Sequence, residues 1–336
     1  MTGRERVEAA FDGQTVSRPP TLPILHSGLC PIFDTLFGRF LSNAETMADV
    51  VMAGATRFGY DGVQLSLGVT AEPEALGART SQPEDAATIL EEHLLADDLD
   101  VSPLSAQAPA RNGRFPMFAE ALSQVMEGIG ETHYVLTTLR GPLLMASQLC
   151  GVEPLLIGLI DAPKQVTDVL DFTTEVALEI ARALAPIGAP GVLLGEATCS
   201  PNFISPTFYR DFVLPRHTHL VGELKAMGWR HVGLHICGGI QPIIEDIVNT
   251  GVDFFDVDHQ VTVEEGNALT QGRAVMRGNL DPSSDFRFGS PADMAAKTRS
   301  LLTKTSGSPW ILSSGCDIPP GTPPETIDAF VQTVCE

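Results

Sequence analysis

The sequence predicts an α/β protein of the (β/α)8 TIM-barrel class, and three observations carry that expectation. Short β-type runs alternate with amphipathic helical stretches, the pattern of repeated βα units and therefore of a parallel sheet. Eight such runs can be counted in 336 residues, the number and length that a closed barrel needs. Most of them run into glycine, proline or acidic residues, as loops at the carboxyl ends of strands do. The expected organisation is one barrel domain over residues 1–336, with an N-terminal extension and a rim insertion after the second strand, from about 70 to 132.

The N-terminal extension begins with the polar, amphipathic stretch Met1-Thr2-Gly3-Arg4-Glu5-Arg6. Strands are expected at 21–25, 62–66, 133–139, 191–196, 231–237, 253–258, 274–278 and 309–313. Between them, apolar residues recur at three- and four-residue intervals over 43–58, 115–129, 163–184, 206–227, 240–249, 291–303 and 323–335, which reads as helix. Pro206 and Pro291 sit in first turns, where a fixed φ and a missing donor do no harm. Gly59, Gly228 and Gly251 close helices. The rim insertion is expected to hold a loop over 71–83 and extra helices.

Composition bounds the partners. With 43% hydrophobic and 19% charged residues the chain can bury a large core. Its start lacks an apolar signal-peptide region and no run approaches a membrane span, so a soluble, cytoplasmic protein is expected. Six scattered cysteines do not resemble a disulfide scaffold, leaving reduced thiols available as ligands. A formal charge of −21 repels nucleic acid and anionic lipid, so neither a nucleic acid nor a membrane is expected as partner.

The chemistry gathers at strand ends. In a strand, alternate side chains share a face, so His235 and Cys237 would project together and grip one ion. Cys316, in the turn Ser314-Gly315-Cys316-Asp317 after the last strand, would add a third donor. Imidazole and thiolates suit zinc, and three protein ligands leave one coordination position for chemistry. Glu196, Asp256, Asp258, Asn279 and Asp281 fall at or after other strand ends and would ring the same mouth. Asp256, Asp258 and His259 would orient substrate or the ligating imidazole; strand-end solvation is the plainer reading. Asn279 and Asp281 would bind substrate or fix a loop, and the aromatic run 32–40 would line a lid or form helix core. His217 and His219 lie two apart in a predicted helix and cannot share a face.

These residues resemble the uroporphyrinogen decarboxylase superfamily, and within it the zinc-dependent, corrinoid-linked methyltransferases. The likeness runs through nearly the whole chain, from Arg4-Glu5-Arg6 and Ser17-Arg18-Pro19-Pro20 to Glu74-Ala75-Leu76-Gly77, Gly141-Pro142-Leu143 and Ile204-Ser205-Pro206. Its most specific segments are Leu234-His235-Ile236-Cys237-Gly238, Arg277-Gly278-Asn279-Leu280-Asp281-Pro282, and 315–323 around Cys316. The resemblance implies zinc held by His235, Cys237 and Cys316. Where relatives often carry an Asp-Pro-x-Ala-Ser-type strand end, this chain has Glu196-Ala197-Thr198-Cys199-Ser200. Glu196 is therefore expected as a displaceable fourth ligand or an acceptor behind the ligands, ahead of Cys199.

The implied activity is transfer of a methyl group between a corrinoid, as methylcobalamin or on a partner corrinoid protein, and a zinc-activated small thiol, with Glu196, Asp256 and Asn279 as candidate catalytic groups. Two enzymatic alternatives stand beside it. One is demethylation of an O- or N-methyl donor onto a cobalt corrinoid protein; the other is uroporphyrinogen decarboxylation. The stretch His26-Ser27-Gly28-Leu29-Cys30 lacks the arginine-rich motif that decarboxylation would ask for. A non-catalytic zinc or corrinoid module is the further alternative, and it would require a closed, four-ligand site.

Overall fold

The computed structural model describes every residue except Thr15 and Pro309, so the expected start of the last strand at Pro309 lies outside the described residues. Strand β1 (Gly62–Leu65) is followed by a small antiparallel hairpin of β2 (Thr80–Ser81) and β3 (Ile89–Leu90). Six further strands follow: β4 (Tyr134–Arg140), β5 (Gly191–Gly195), β6 (His231–His235), β7 (Phe254–Val257), β8 (Val275–Leu280) and β9 (Trp310–Ser314). All but the hairpin form one parallel sheet in the order β1-β4-β5-β6-β7-β8-β9. The sheet is that of a (β/α)8 barrel, with seven regular strands rather than the eight expected.

The eighth position belongs to the segment expected as the first strand, 21–25. It makes a single parallel bridge, Thr21 to Leu312, with Leu22 N donating to Leu312 O at 3.0 Å. On its other side Asp61 N donates to Thr21 O at 2.9 Å, so the segment lies between β9 and β1 and closes the ring. Pro19, Pro20 and Pro23 have no N–H to give a ladder, which is why the strand is reduced to one bridge. Side chains do the remaining work. The buried Asp61 carboxylate accepts from Arg18 at 2.7 and 3.0 Å, from Thr21 N at 2.8 Å, and from Arg6.

The N-terminal extension is a helix, Gly3–Phe11, started by a capping box between Thr2 and Glu5. Its Val7 and Ala10 join Leu22, Tyr134, Leu193 and Phe254 in a cluster that fills one end of the barrel. Phe11 lies 4.8 Å from the Phe254 ring and 5.4 Å from the Tyr134 ring. That end is sealed, and chemistry is left to the other. A larger apolar layer packs between the sheet and the surrounding helices.

Most helices follow the periodicity. Phe115–Ile129 and Pro163–Leu184 have the expected bounds, and Asn43 caps Ala44–Phe58. The run 206–227 is broken: a π-helical segment, Tyr209–Val213, separates Pro206–Phe208 from Leu214–Ala226. The rim insertion departs from a plain loop over 71–83, since Ala71–Ala75 is helical and Thr80–Ser81 is paired. Helices Pro142–Cys150, Val152–Asp161 and Val263–Thr270 were not expected. Among the described residues no single helix is long and apolar enough to cross a membrane.

Asp61→Ala would leave two guanidinium groups without their shared acceptor at the seam. Loss of stability of roughly 3–5 kcal/mol is expected in chemical denaturation; a loss below about 1 kcal/mol would show that the seam is held by the Thr21 bridge alone.

Candidate active site and metal centre

Strand β6 ends at His235, two residues earlier than the expected span 231–237, so Cys237 lies in the turn beyond it. Gly238 takes φ +85°, a conformation that a side chain disfavours, and the chain folds back there. The turn leaves Cys237 Sγ 3.2 Å from His235 Nε2. Cys316, past the end of β9, completes the group with its Sγ 3.9 Å from Cys237 Sγ and 3.8 Å from His235 Nε2. Three donors from two remote parts of the chain thus converge.

Their spacing fits the ion inferred from the sequence. Tetrahedral zinc with nitrogen at about 2.0–2.1 Å and sulfur at about 2.3 Å sets its ligands about 3.5–3.8 Å apart. The observed separations of 3.2, 3.8 and 3.9 Å straddle that range.

Behind the imidazole stands a buried charge chain. His235 Nδ1 lies 2.7 Å from Asp256 Oδ2, and Arg277 donates to both oxygens of that carboxylate at 2.6 and 2.7 Å. Asp256 and Arg277 are fully buried. Burial alone would raise the Asp256 carboxyl; Arg277 and the His235 hydrogen bond outweigh it and hold the group below the usual carboxylate range. His235 is pushed well above its ordinary value, because the Cys237 sulfur and Asp256 overcome the burial that opposes its charge. Cys316 is lowered to about 4, first by the hydrogen bond from Cys237, and Cys237 is raised by that same bond and by burial. The cluster therefore holds protons that a bound cation must displace.

Glu196 follows β5 and is fully buried. It accepts from Leu143 N at 3.1 Å and Leu144 N at 2.8 Å, capping the helix Pro142–Cys150, and its Oε1 lies 2.9 Å from His217 Nε2. His217 in turn reaches Tyr209 OH at 3.1 Å. The carboxylate thus groups with Cys199 and His217, apart from the His235, Cys237 and Cys316 cluster, and its oxygens are engaged there. Burial raises the Cys199 thiol well above its ordinary value. His219 takes no part.

Other candidates hold the loops. Asn279 lies within β8 and donates to Val261 O at 2.6 Å, off the cavity wall. Asp258 accepts from Gly238 N at 3.2 Å, fixing the turn that carries Cys237, and lies 2.9 Å from His259 Nδ1. Asp281 accepts from Ser283 N and Ser284 N at 2.8 and 3.0 Å. In the aromatic run 32–40, Phe40 is buried in the core and Phe37 packs on it.

A cavity of about 250 Å³ opens beside the cluster, and His235, Cys237, Cys316 and Glu196 form part of its wall. Sequence reasoning did not single out Arg140, the last residue of β4, which lines the same space. Its Nε donates to Gly68 O at 2.8 Å and its Nη2 to Ser66 Oγ. Burial lowers its pKa, and the nearby Glu72 carboxylate opposes that. Gly195 lets the guanidinium pass, since a Cβ there would collide with Nη1. Nor was Arg277 given a role; the signal was present, as an arginine directly after the apolar run Ala274-Val275-Met276.

Comparison with known proteins places the chain in a family. The chain is 26% identical over 341 residues to the methylcobamide:CoM methyltransferase MtaA of Methanosarcina barkeri, covering 98% of this chain and 97% of that one. It is 24% identical to a methylated-thiol–coenzyme M methyltransferase of Methanosarcina mazei, covering 100% of this chain and 90% of that one. A solved methyltransferase from Methanosarcina mazei superposes with TM-score 0.92 at 24% identity, covering 100% of this chain and 98% of that one, so the two share a fold. The chain is an enzyme of the methyltransferase class. Residues 2–336 match the family described as uroporphyrinogen decarboxylase (URO-D), and the chain belongs to that family.

Proposed function

We propose that this enzyme is a zinc-dependent methyltransferase that moves a methyl group between a corrinoid and a small thiol, with the corrinoid carried by a partner protein. One observation carries the reading. The donors of His235, Cys237 and Cys316 lie within 3.9 Å of one another and all three residues line one cavity, so a bound ion would keep a face toward that cavity. When bound there, zinc supplies the charge that keeps a substrate thiol as its reactive thiolate at neutral pH.

The chain's own groups do the rest. Cys237 and Cys316 would bind as thiolates, so that substrate sulfur completes an electron-rich set. Asp256 holds the Nδ1 proton of His235 and so presents Nε2 to the cavity; Arg277 holds Asp256 in turn. Glu196 forms the adjoining wall and fixes there the start of the helix it caps. The ligand thiols must be reduced, which matches a cytoplasmic setting.

The cavity wall also weighs against decarboxylation of a tetrapyrrole. A substrate bearing many carboxylates calls for several cations, and among the described residues lining this cavity Arg140 is the one arginine, with no lysine beside it.

Cys316→Ala should lower zinc content well below one per chain and reduce methyl transfer from methylcobalamin to thiols by more than about 100-fold; full activity in zinc-free protein would end the proposal. Because His235 and Cys237 are both raised, metal must displace their protons. Zinc affinity should therefore fall as pH drops from about 8 to 6 in competition with a chromophoric chelator. Arg277→Met strands a buried carboxylate and should cost about 3–5 kcal/mol of metal-free stability, a loss that Asp256→Asn in the same chain partly restores.

A further inference from the structure

The cavity has a second polar wall, which the reaction as described does not use. The triad comes from the ends of β6 and β9. From the closing segment, β1 and β4, His26, Gln64, Thr138 and Arg140 face the same space. Several of their polar atoms lack partners. Gln64 is 5% exposed and Thr138 6%, yet Gln64 Oε1, Thr138 Oγ1 and His26 Nε2 are buried without a hydrogen bond among the described residues. Each such atom costs roughly 1–3 kcal/mol unless something meets it. Three around one small cavity mark a surface shaped for a ligand.

Their chemistry says which ligand. Arg140 uses Nε and Nη2 on Gly68 O and Ser66 Oγ, while Nη1 has no acceptor and the guanidinium no ion pair among the described residues. This corner takes an anion. The His26 corner has the opposite sense. Asp317 Oδ1 accepts from His26 N at 3.2 Å and lies 3.2 Å from His26 Nδ1, while Oδ2 accepts from Ser27 Oγ at 3.1 Å, so a carboxylate anchors this corner. With Asp317 on the same wall, this corner takes a donor. In strand order the Gln64 amide stands between the two, and amide and hydroxyl can each give or accept.

Resting on the thiol-binding metal centre above, we propose that this wall selects a short thiol whose head carries both an anion and a hydrogen-bond donor, as an α-amino-acid thiol does. Its carboxylate would meet Arg140 and Thr138, its ammonium the His26 and Asp317 corner, and its sulfur the triad. A thiol bearing only an anion gives the Asp317 carboxylate no donor; one bearing only an amine leaves Arg140 unpaired. The volume of about 250 Å³ admits only a small molecule.

The test titrates cobalt(II)-substituted protein with homocysteine, 3-mercaptopropionate, 2-mercaptoethanesulfonate and 2-aminoethanethiol, reading the thiolate-to-cobalt absorption. Homocysteine is expected to bind at least about tenfold tighter than each of the others. Arg140→Met should erase its advantage over 2-aminoethanethiol while leaving the affinity of 2-aminoethanethiol within about threefold. If the methionine variant does not fold, Arg140→Lys, which keeps the charge and loses the fork, should still weaken homocysteine binding about tenfold. Equal affinities for the four thiols, or tightest binding of 2-mercaptoethanesulfonate, would overturn the selective wall and leave the metal centre standing. No thiolate band with any thiol would overturn the metal centre and the selective wall with it.

Discussion

A guanidinium buried in the middle of the barrel constrains everything around it. Arg277 cannot be neutralised and cannot reach water, so Asp256 must face it with both oxygens. Asp256, so fixed, turns a second lone pair of Oδ2 to His235 Nδ1. The imidazole is thereby oriented with Nε2 toward Cys237 and Cys316. Such a pair is poor value as stability, since apolar residues of the same volume would fill the space at less cost. Its worth lies in holding the His235 imidazole at one angle.

The barrel explains why the members of this cluster can be so far apart in the chain. Parallel strands deliver their carboxyl ends to a single rim, so the ends of β6 and β9 meet although Cys237 and Cys316 are 79 positions apart. The opposite rim is closed by the helix Gly3–Phe11 and its Phe11. With one end plugged, binding, selection and partner approach must all share the other.

Much of this was legible in the sequence. Amphipathic helices such as Phe115–Ile129 carry a periodic stripe because one face meets solvent, and the strand ends could be read from the glycines and acids that follow. The helix Pro142–Cys150 escaped for the converse reason: it is buried nearly all round, so no stripe exists to be read. The first strand was overread, because its apolar pattern is real while Pro20 and Pro23 deny it a ladder. At the site, His235, Cys237 and Cys316 announced themselves by residue type. Glu196 was legible as a strand-end acid at the mouth but not in its bonding, which depends on a helix start and on His217 from another element. Arg140 gave no local sign, since its importance comes from a neighbouring strand carrying Gly195 where a side chain would block it.

The contacts of Glu196 have a consequence for how this pocket can change. One carboxylate ties the start of an inner helix to His217, and His217 ties it to Tyr209 inside the π-helical segment Tyr209–Val213. Outer-layer residues thus have a lever on the cavity's shape without touching its contents. Drift in the packing of that segment would move the wall while His235, Cys237 and Cys316, held by other elements, stay in place.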